Sequence, residues 1–218
     1  MCTNYRPTAR DHLRQVFGVA EPDFDYPEES YPGYAAPVIR RAVAGISGRE
    51  CLAAGFGLIP HWAKDLRIAR NTYNARSETV AEKPSFRSPW RQGQYCLVPM
   101  DAFYEPCYES GRAVRWRIAS ADGQPFAVAG LWERWVAAAT GEILHSFTML
   151  TVNADGHPVM GRMHRPGDEK RSLVLIGRAD FDAWLGARPE AARALLRAPA
   201  PDALVAEASP RPTGRARA

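Results

Sequence analysis

The chain contains no run of about 18 apolar residues, so no membrane-spanning helix and no membrane partner are expected. Its N-terminus lacks a basic segment followed by an apolar one, so no signal peptide is expected either. Cysteine is scarce: Cys2, Cys51, Cys96 and Cys107 are the only four, and they form neither a CxxC pair nor a Cys/His metal spacing. That scarcity argues against a disulfide scaffold and against a zinc site, and it favours free thiols in a reducing compartment. No metal and no organic cofactor are expected. No internal repeat is present.

What remains is 218 residues, 46% hydrophobic and 24% charged, enough for one domain with a sizeable core. The net charge of +4 is unevenly spread. Glu21, Asp23, Asp25, Glu28 and Glu29 stand together without a base. Between Lys64 and Arg91, seven bases face only three acids, Asp65, Glu78 and Glu82. A basic segment of that kind suits phosphates, and equally suits a solvated charged face. Arg211, Arg215 and Arg217 crowd the C-terminus.

The patterning predicts a short helix from Thr8 to Val19, with Thr8 as N-cap and Leu13, Val16 and Phe17 on one face. Residues 21–37, acidic and rich in Tyr and Pro, read as loop. Cys51–Ile59 is apolar enough for a buried strand, whereas the stretch from Pro60 to Arg91 shows few regular signals. Strands follow at Tyr95–Pro99, Ala102–Tyr108, Val114–Ile118, Phe126–Trp135 and Leu144–Val152, separated by turn signals such as Ser110-Gly111, Asp122-Gly123 and Thr140-Gly141. Arg171–Ile176 reads as one more strand, then Ala179–Leu185 and Pro189–Arg197 as helices. The expected fold is α+β: a single domain with a largely antiparallel β core, a barrel-like or sandwich-like meander, flanked by a few short helices. The domain is placed at 1–197. Residues 198–218, with almost no large apolar side chain, read as a disordered basic tail.

Chemistry begins at Met1-Cys2. A small second residue permits removal of the initiator Met, which would leave Cys2 with a free α-amine beside its thiol. With reference pKa values of roughly 7.7–8.0 and 8.5, both groups are partly nucleophilic near neutral pH. The pair suits N-terminal-nucleophile amide hydrolysis, or condensation with an aldehyde to a Schiff base and then a thiazolidine. Three further polar clusters stand out: Tyr73 to Thr79, Phe103-Tyr104-Glu105-Pro106, and Gly161 to Pro166 around His164. Among aromatics, Glu105 suits an acid or base, or an edge carboxylate paired with an Arg. His61, His145 and His157 compete with His164, and spacing alone does not separate the four.

Taken together and in order, Met1-Cys2, Asn74-Ala75-Arg76-Ser77-Glu78-Thr79, Cys96-Leu97-Val98-Pro99 leading to Phe103-Tyr104-Glu105, and the late Arg162-Met163-His164 resemble the SRAP family. These are the SOS-response-associated peptidase domains, also described as abasic-site processing proteins. Gly57 to Lys64 also looks like that family's segment before its Asn-Ala-Arg motif. The resemblance implies a monomeric sensor and shield of abasic sites in single-stranded DNA, cytoplasmic and nucleoid-associated if bacterial. It implies that Cys2 forms the covalent link, that Asn74 positions the amine and the sugar, that Glu105 moves protons, and that His164 assists closure and reversal. It further implies DNA contacts from Trp62, Arg76, Arg87, Thr151 and Arg162. The family usually has Gly-Arg after its cysteine, where Thr3-Asn4 stand here, and Arg6 offers a substitute base. Pro106 replaces the family's Trp after the Glu, and the segment after His164 is longer. A class II glutamine amidotransferase, also with Cys at position 2, is the competing reading, followed by a peptidase. The Asn-Gly oxyanion pair of the former is not evident.

Overall fold

Alternation along the strands divides the interior into two layers. On β5 (Tyr95–Cys107), Cys96, Val98, Met100 and Phe103 enter one apolar cluster while Tyr95 and Leu97 enter another. On β7 (Phe126–Val136), Val128 joins the first cluster, whereas Ala127, Ala129 and Leu131 join the second. A period of two puts successive side chains on opposite faces, so one sheet serves two cores.

The structure, a computed structural model, describes residues 2–42 and 48–211. Met1 and residues 212–218, with Arg215 and Arg217, lie outside the described residues. Before β5 the chain forms β1 (Tyr5–Pro7), α1 (Arg10–Phe17), β2 (Ala35–Arg41), β3 (Arg49–Phe56), a 3-10 turn at Leu66–Asn71, β4 (Asn74–Arg76) and α2 (Arg87–Arg91). After it come β6 (Val114–Ser120), β7, β8 (Ile143–Asn153), β9 (Arg171–Leu173), β10 (Leu175–Ile176), α3 (Phe181–Leu185), α4 (Pro189–Ala194) and β11 (Leu204–Ala208).

Pairing runs from β5 to β7, β8, β3, β2 and back to β5, which closes a five-stranded barrel. All of these pairs are antiparallel except β3 with β8, and β4 also lies parallel to β8. The fold is thus α+β and mostly sheet, as the patterning predicts. Closure leaves little unpaired edge. The first cluster, containing Cys2, Tyr5, Phe56, Phe147 and Met149, fills the barrel. The second lies outside it, under Leu13 and Phe17 of α1, Trp90 of α2 and Phe181 and Trp184 of α3. Gly130 permits the tight wall between them: a Cβ there would stand 2.8 Å from Cys96 Sγ and 2.9 Å from the Thr148 carbonyl.

Several expectations are corrected. The two strands expected at Tyr95–Pro99 and Ala102–Tyr108 are one 13-residue strand. Its first half pairs β7 and its second half β6, so the order is not that of a simple meander. Ala35–Pro37, expected as loop, begins β2. Arg171–Ile176 divides into β9 on β8 and β10 on β7, because the chain turns from one barrel strand to the next at Val174. Ala9, not Thr8, is the N-cap of α1, without a side-chain bond, and Thr8 is buried. Residues 198–211 are no loose tail: Leu204–Ala208 pair in register with Ser120–Trp116. Leu204 inserts into the barrel cluster and the backbone ladder anchors the remainder, which composition alone does not disclose.

Candidate functional site

β1 pairs antiparallel with β5, Tyr5 opposite Phe103, and the Tyr104 amide continues the ladder by donating to the Asn4 carbonyl at 2.9 Å. The N-terminal residues therefore run beside the half of β5 that carries Glu105. Cys2 is 1% exposed, among Tyr5, Phe103, Cys107 and Met163. Its Sγ donates to the Asn4 carbonyl at 3.4 Å. Burial pushes the Cys2 thiol strongly up, the Glu105 charge pushes it further, and hydrogen bonding to the Asn4 and Tyr104 backbone opposes both in part. Burial and the Glu105 charge thus both favour the neutral thiol.

Glu105 is buried, and its Oε2 lies 3.0 Å from His164 Nε2. Among the described residues the Glu105 carboxylate thus meets an imidazole, where the sequence also suits an arginine. His164 has a left-handed backbone, φ +64°, rare for a side chain of this size. Its amide donates to the Pro106 carbonyl at 2.7 Å, and Met163 bridges Cys107. Lys170 fastens the turn: its Nζ donates to the carbonyls of Met163 at 2.8 Å, His164 at 3.3 Å and Arg165 at 2.9 Å. The long segment after His164 thus carries the clamp that holds the histidine. Geometry also separates the histidines. His157 Nδ1 accepts from the Val159 and Met160 amides, a turn-capping role. His61 sits 3.4 Å from Glu133, and His145 packs on Trp132.

Asn74 lies on β4 opposite Met149, a residue of the barrel cluster that contains Cys2. It is buried, its Nδ2 donates to the Tyr73 carbonyl at 2.9 Å, and among the described residues its Oδ1 has no hydrogen-bond partner. A buried acceptor left open in this way costs roughly 1–3 kcal/mol, which a donor would restore. Thr151, opposite Arg76, is buried and receives Arg171 Nη2 at 3.1 Å.

The residues expected to touch DNA are more dispersed. Trp62 is 50% exposed on a loop fastened at both ends. The Ile59 amide donates to Ser146 Oγ at 2.8 Å, and Trp135 Nε1 donates to the Ala63 carbonyl at 2.8 Å. The loop starts at Gly57, φ +119°, where a Cβ would come within 2.3 Å of the Ala69 carbonyl oxygen. Arg76 is half-exposed and paired with Glu169 at 2.7 Å. Arg162 holds Glu109 through two bonds of 2.7 and 2.8 Å and lies over Trp116. Arg87 is exposed at the start of α2, whose Trp90 belongs to the outer cluster. Among the described residues, no group of three or more His, Cys, Asp or Glu side chains could hold a metal ion.

A cleft of about 710 Å³ opens where Thr3, Asn4, Tyr104 and Glu105 meet. Arg6, offered above as a substitute base, instead pairs with Glu28 at 2.8 Å and stands 3.9 Å from Asp101. Arg115 takes the place beside Asn4. Its Nη2 donates to Asn4 Oδ1 at 2.8 Å and to Glu29 Oε1 at 2.6 Å, and its guanidinium lies 3.4 Å above the Tyr104 ring. Arg115 and Lys170 escaped the sequence reading: one occupies the polar side of an alternating strand, the other a charged run, and neither carries a distinguishing local signal.

Among curated proteins, the chain is 41% identical over 146 residues to abasic site processing protein YoqW of Bacillus subtilis, covering 65% of this chain and 61% of that one. It is 27% identical over 159 residues to abasic site processing protein HMCES of Pongo abelii, covering 60% and 43%. The matches thus span about three fifths or less of those relatives' length. A crystal structure of a Bordetella bronchiseptica protein, 37% identical, superposes with TM-score 0.85 over 95% of this chain and 99% of that one. One from Bacteroides thetaiotaomicron, at 21% identity and TM-score 0.81, shares the fold. The family model for SOS response associated peptidase (SRAP) matches residues 1–210, and the chain belongs to that family.

Proposed function

We propose that this protein handles abasic sites in single-stranded DNA by capturing the ring-opened sugar aldehyde on Cys2 after removal of Met1. The abasic-site processing named for its relatives supports the substrate class. The observation that carries the mechanism is the buried Glu105–His164 pair at 3.0 Å, with Glu105 close enough for its charge to act on the Cys2 thiol.

The Cys2 amine adds to the sugar C1 aldehyde, and the carbinolamine loses water to give an imine. The thiol then adds to the imine carbon, its proton passes to the nitrogen, and the thiazolidine closes with one water lost overall. Each proton transfer needs a group that both takes and returns a proton, the work of a buried carboxylate and imidazole in contact. The open Asn74 Oδ1 suits the N–H of the attacking amine. Trp62 stacks on a base, as aromatic platforms do for single strands, while Arg76, Arg87 and Arg162 meet phosphates and Thr151 supports the Asn74 strand. Arg76 and Arg162 must then exchange Glu169 and Glu109 for DNA.

Denaturing electrophoresis of the protein with a single strand bearing one abasic site tests the capture, with intact mass confirming that Met1 is absent. An adduct that depends on the abasic site and disappears in Cys2→Ser is expected. No adduct from the Met1-free wild type rules the capture out.

A further inference from the structure

The cleft beside Glu105 is lined on its far side by Arg112 from the β5–β6 turn and by Pro210 and Arg211 from the C-terminal arm. The arm is fastened right up to that point. Five residue pairs join β11 to β6, then the Ser209 amide donates to the Arg115 carbonyl at 2.9 Å and Arg115 Nη1 returns a 3.4 Å bond to the Ser209 carbonyl. Arg211 therefore arrives over the Tyr31 ring, at 5.5 Å, and bonds its hydroxyl.

The charges in the cleft are unequally satisfied. Glu29 is held by Arg115, by Tyr31 at 2.7 Å and by Asn4 at 3.2 Å, so its charge and that of Arg115 cancel. The ion pairs of the described residues include neither Arg112 nor Arg211. Arg112 and Arg211 thus line the same cleft as Glu105, Tyr31 and Tyr104, and among the described residues neither has a carboxylate of its own.

We propose that Arg112 and Arg211 form a phosphodiester subsite next to the lesion, completed by the C-terminal arm. It supplies the positive charge that Thr3-Asn4 do not. This rests on the single-strand reading above. A planar guanidinium that donates two parallel N–H bonds matches a phosphate, and one lodged over an aromatic ring is already restrained.

The test is the salt dependence of binding to an intact single strand, in a Cys2→Ser background so that no covalent step intervenes. Each phosphate contact contributes a slope of about 0.7 in log K against log salt. Arg211→Ala and Arg112→Ala are each expected to flatten the slope by about 0.7 and to weaken binding several-fold at low salt. Arg211→Lys should retain the slope, and removal of residues 210–218, which takes Arg215 and Arg217 as well, should flatten it by at least as much as Arg211→Ala. Slopes equal to the Cys2→Ser parent, or tighter binding once Arg211 is gone, would overturn the subsite. Wild-type adduct formation with an abasic strand is scored in parallel. An adduct with unchanged slopes sinks the subsite alone, altered slopes without an adduct sink the capture alone, and no strand binding at all sinks both.

Discussion

A thiol that burial and a neighbouring carboxylate both keep protonated is a poor first nucleophile, and this argues for the order of steps. In the proposed capture the amine of Cys2, not the sulfur, opens the reaction, and the thiol adds to the imine as its proton leaves. On that proposal Glu105 has opposed effects: its charge discourages thiolate in the resting protein, and its carboxylate receives the proton during closure. Glu105→Gln separates them. Removing the charge lowers the thiol pKa, so alkylation of Cys2 by iodoacetamide at pH 8 should become faster than in wild type. Adduct formation under single-turnover conditions should become slower, by roughly 10²-fold. Alkylation no faster than wild type would remove the Glu105 charge from the groups acting on Cys2. Cys2 stands out in the sequence by position alone, and the structure buries it in the barrel cluster beside the half of β5 that carries Glu105. His164 stands out among four histidines only through the resemblance, and what sets it against Glu105, a turn and a Lys170 clamp, leaves no local signal in the sequence.

Single elements carry the support of the site. β4, only three residues long, holds Asn74 and lies against β8, and its end is secured by Arg171 from β9. Arg171 is 3% exposed and reaches Glu78 through bonds of 2.8 and 2.9 Å, Glu169 at 2.7 Å and the Thr151 carbonyl at 2.7 Å. Burial alone would lower the Arg171 pKa, and the two carboxylates outweigh it. The same bonds pull Glu78 down to about 2. A carboxyl whose folded pKa lies below its unfolded value of about 4.3 contributes stability above that value and loses it as pH falls toward 2. Glu78→Gln should therefore destabilise the protein at pH 7 by about 1 kcal/mol, limited by the half-exposed carboxylate. The deficit relative to wild type should close between about pH 4.5 and 2 in parallel urea titrations. A deficit constant across that range would mean that the carboxylate charge does not support the segment. This linkage was invisible in sequence, where Glu78 and Arg171 stand 93 residues apart. Strands with clear alternation or turn signals were found within a few residues, whereas β1 and β4 were too short to show a period.

For the molecule as a whole, what sequence could not convey is closure. Alternation predicts strands and their faces, but the return of β2 to β5 and the split pairing of β5 arise from non-local register. The C-terminal arm shows the same limit. Its composition resembles a disordered segment, yet one leucine and five backbone pairs suffice to dock it, because β6 already presents a free edge. This makes the boundary at residue 197 a quantitative question. Ending the chain at Arg197 removes Leu204 from the barrel cluster, a loss of about 2–3 kcal/mol by comparison with large-to-small core substitutions, and leaves β6 an open edge. At about 2–4 °C per kcal/mol for a chain of this size, the melting temperature should fall by roughly 4–12 °C. Ending the chain at Ser209 keeps the ladder and Leu204 and should leave the melting temperature within about 2 °C of the full chain. Equal melting temperatures for the 1–197 and full-length chains would show that β11 adds nothing to the fold. A large loss on ending at Ser209 would show instead that Pro210 and Arg211 hold the fold together, and the salt slope of that variant could then no longer be assigned to phosphate contact. The two truncations thus divide the arm at Ser209 into a part that stabilises the barrel and a part left to bind.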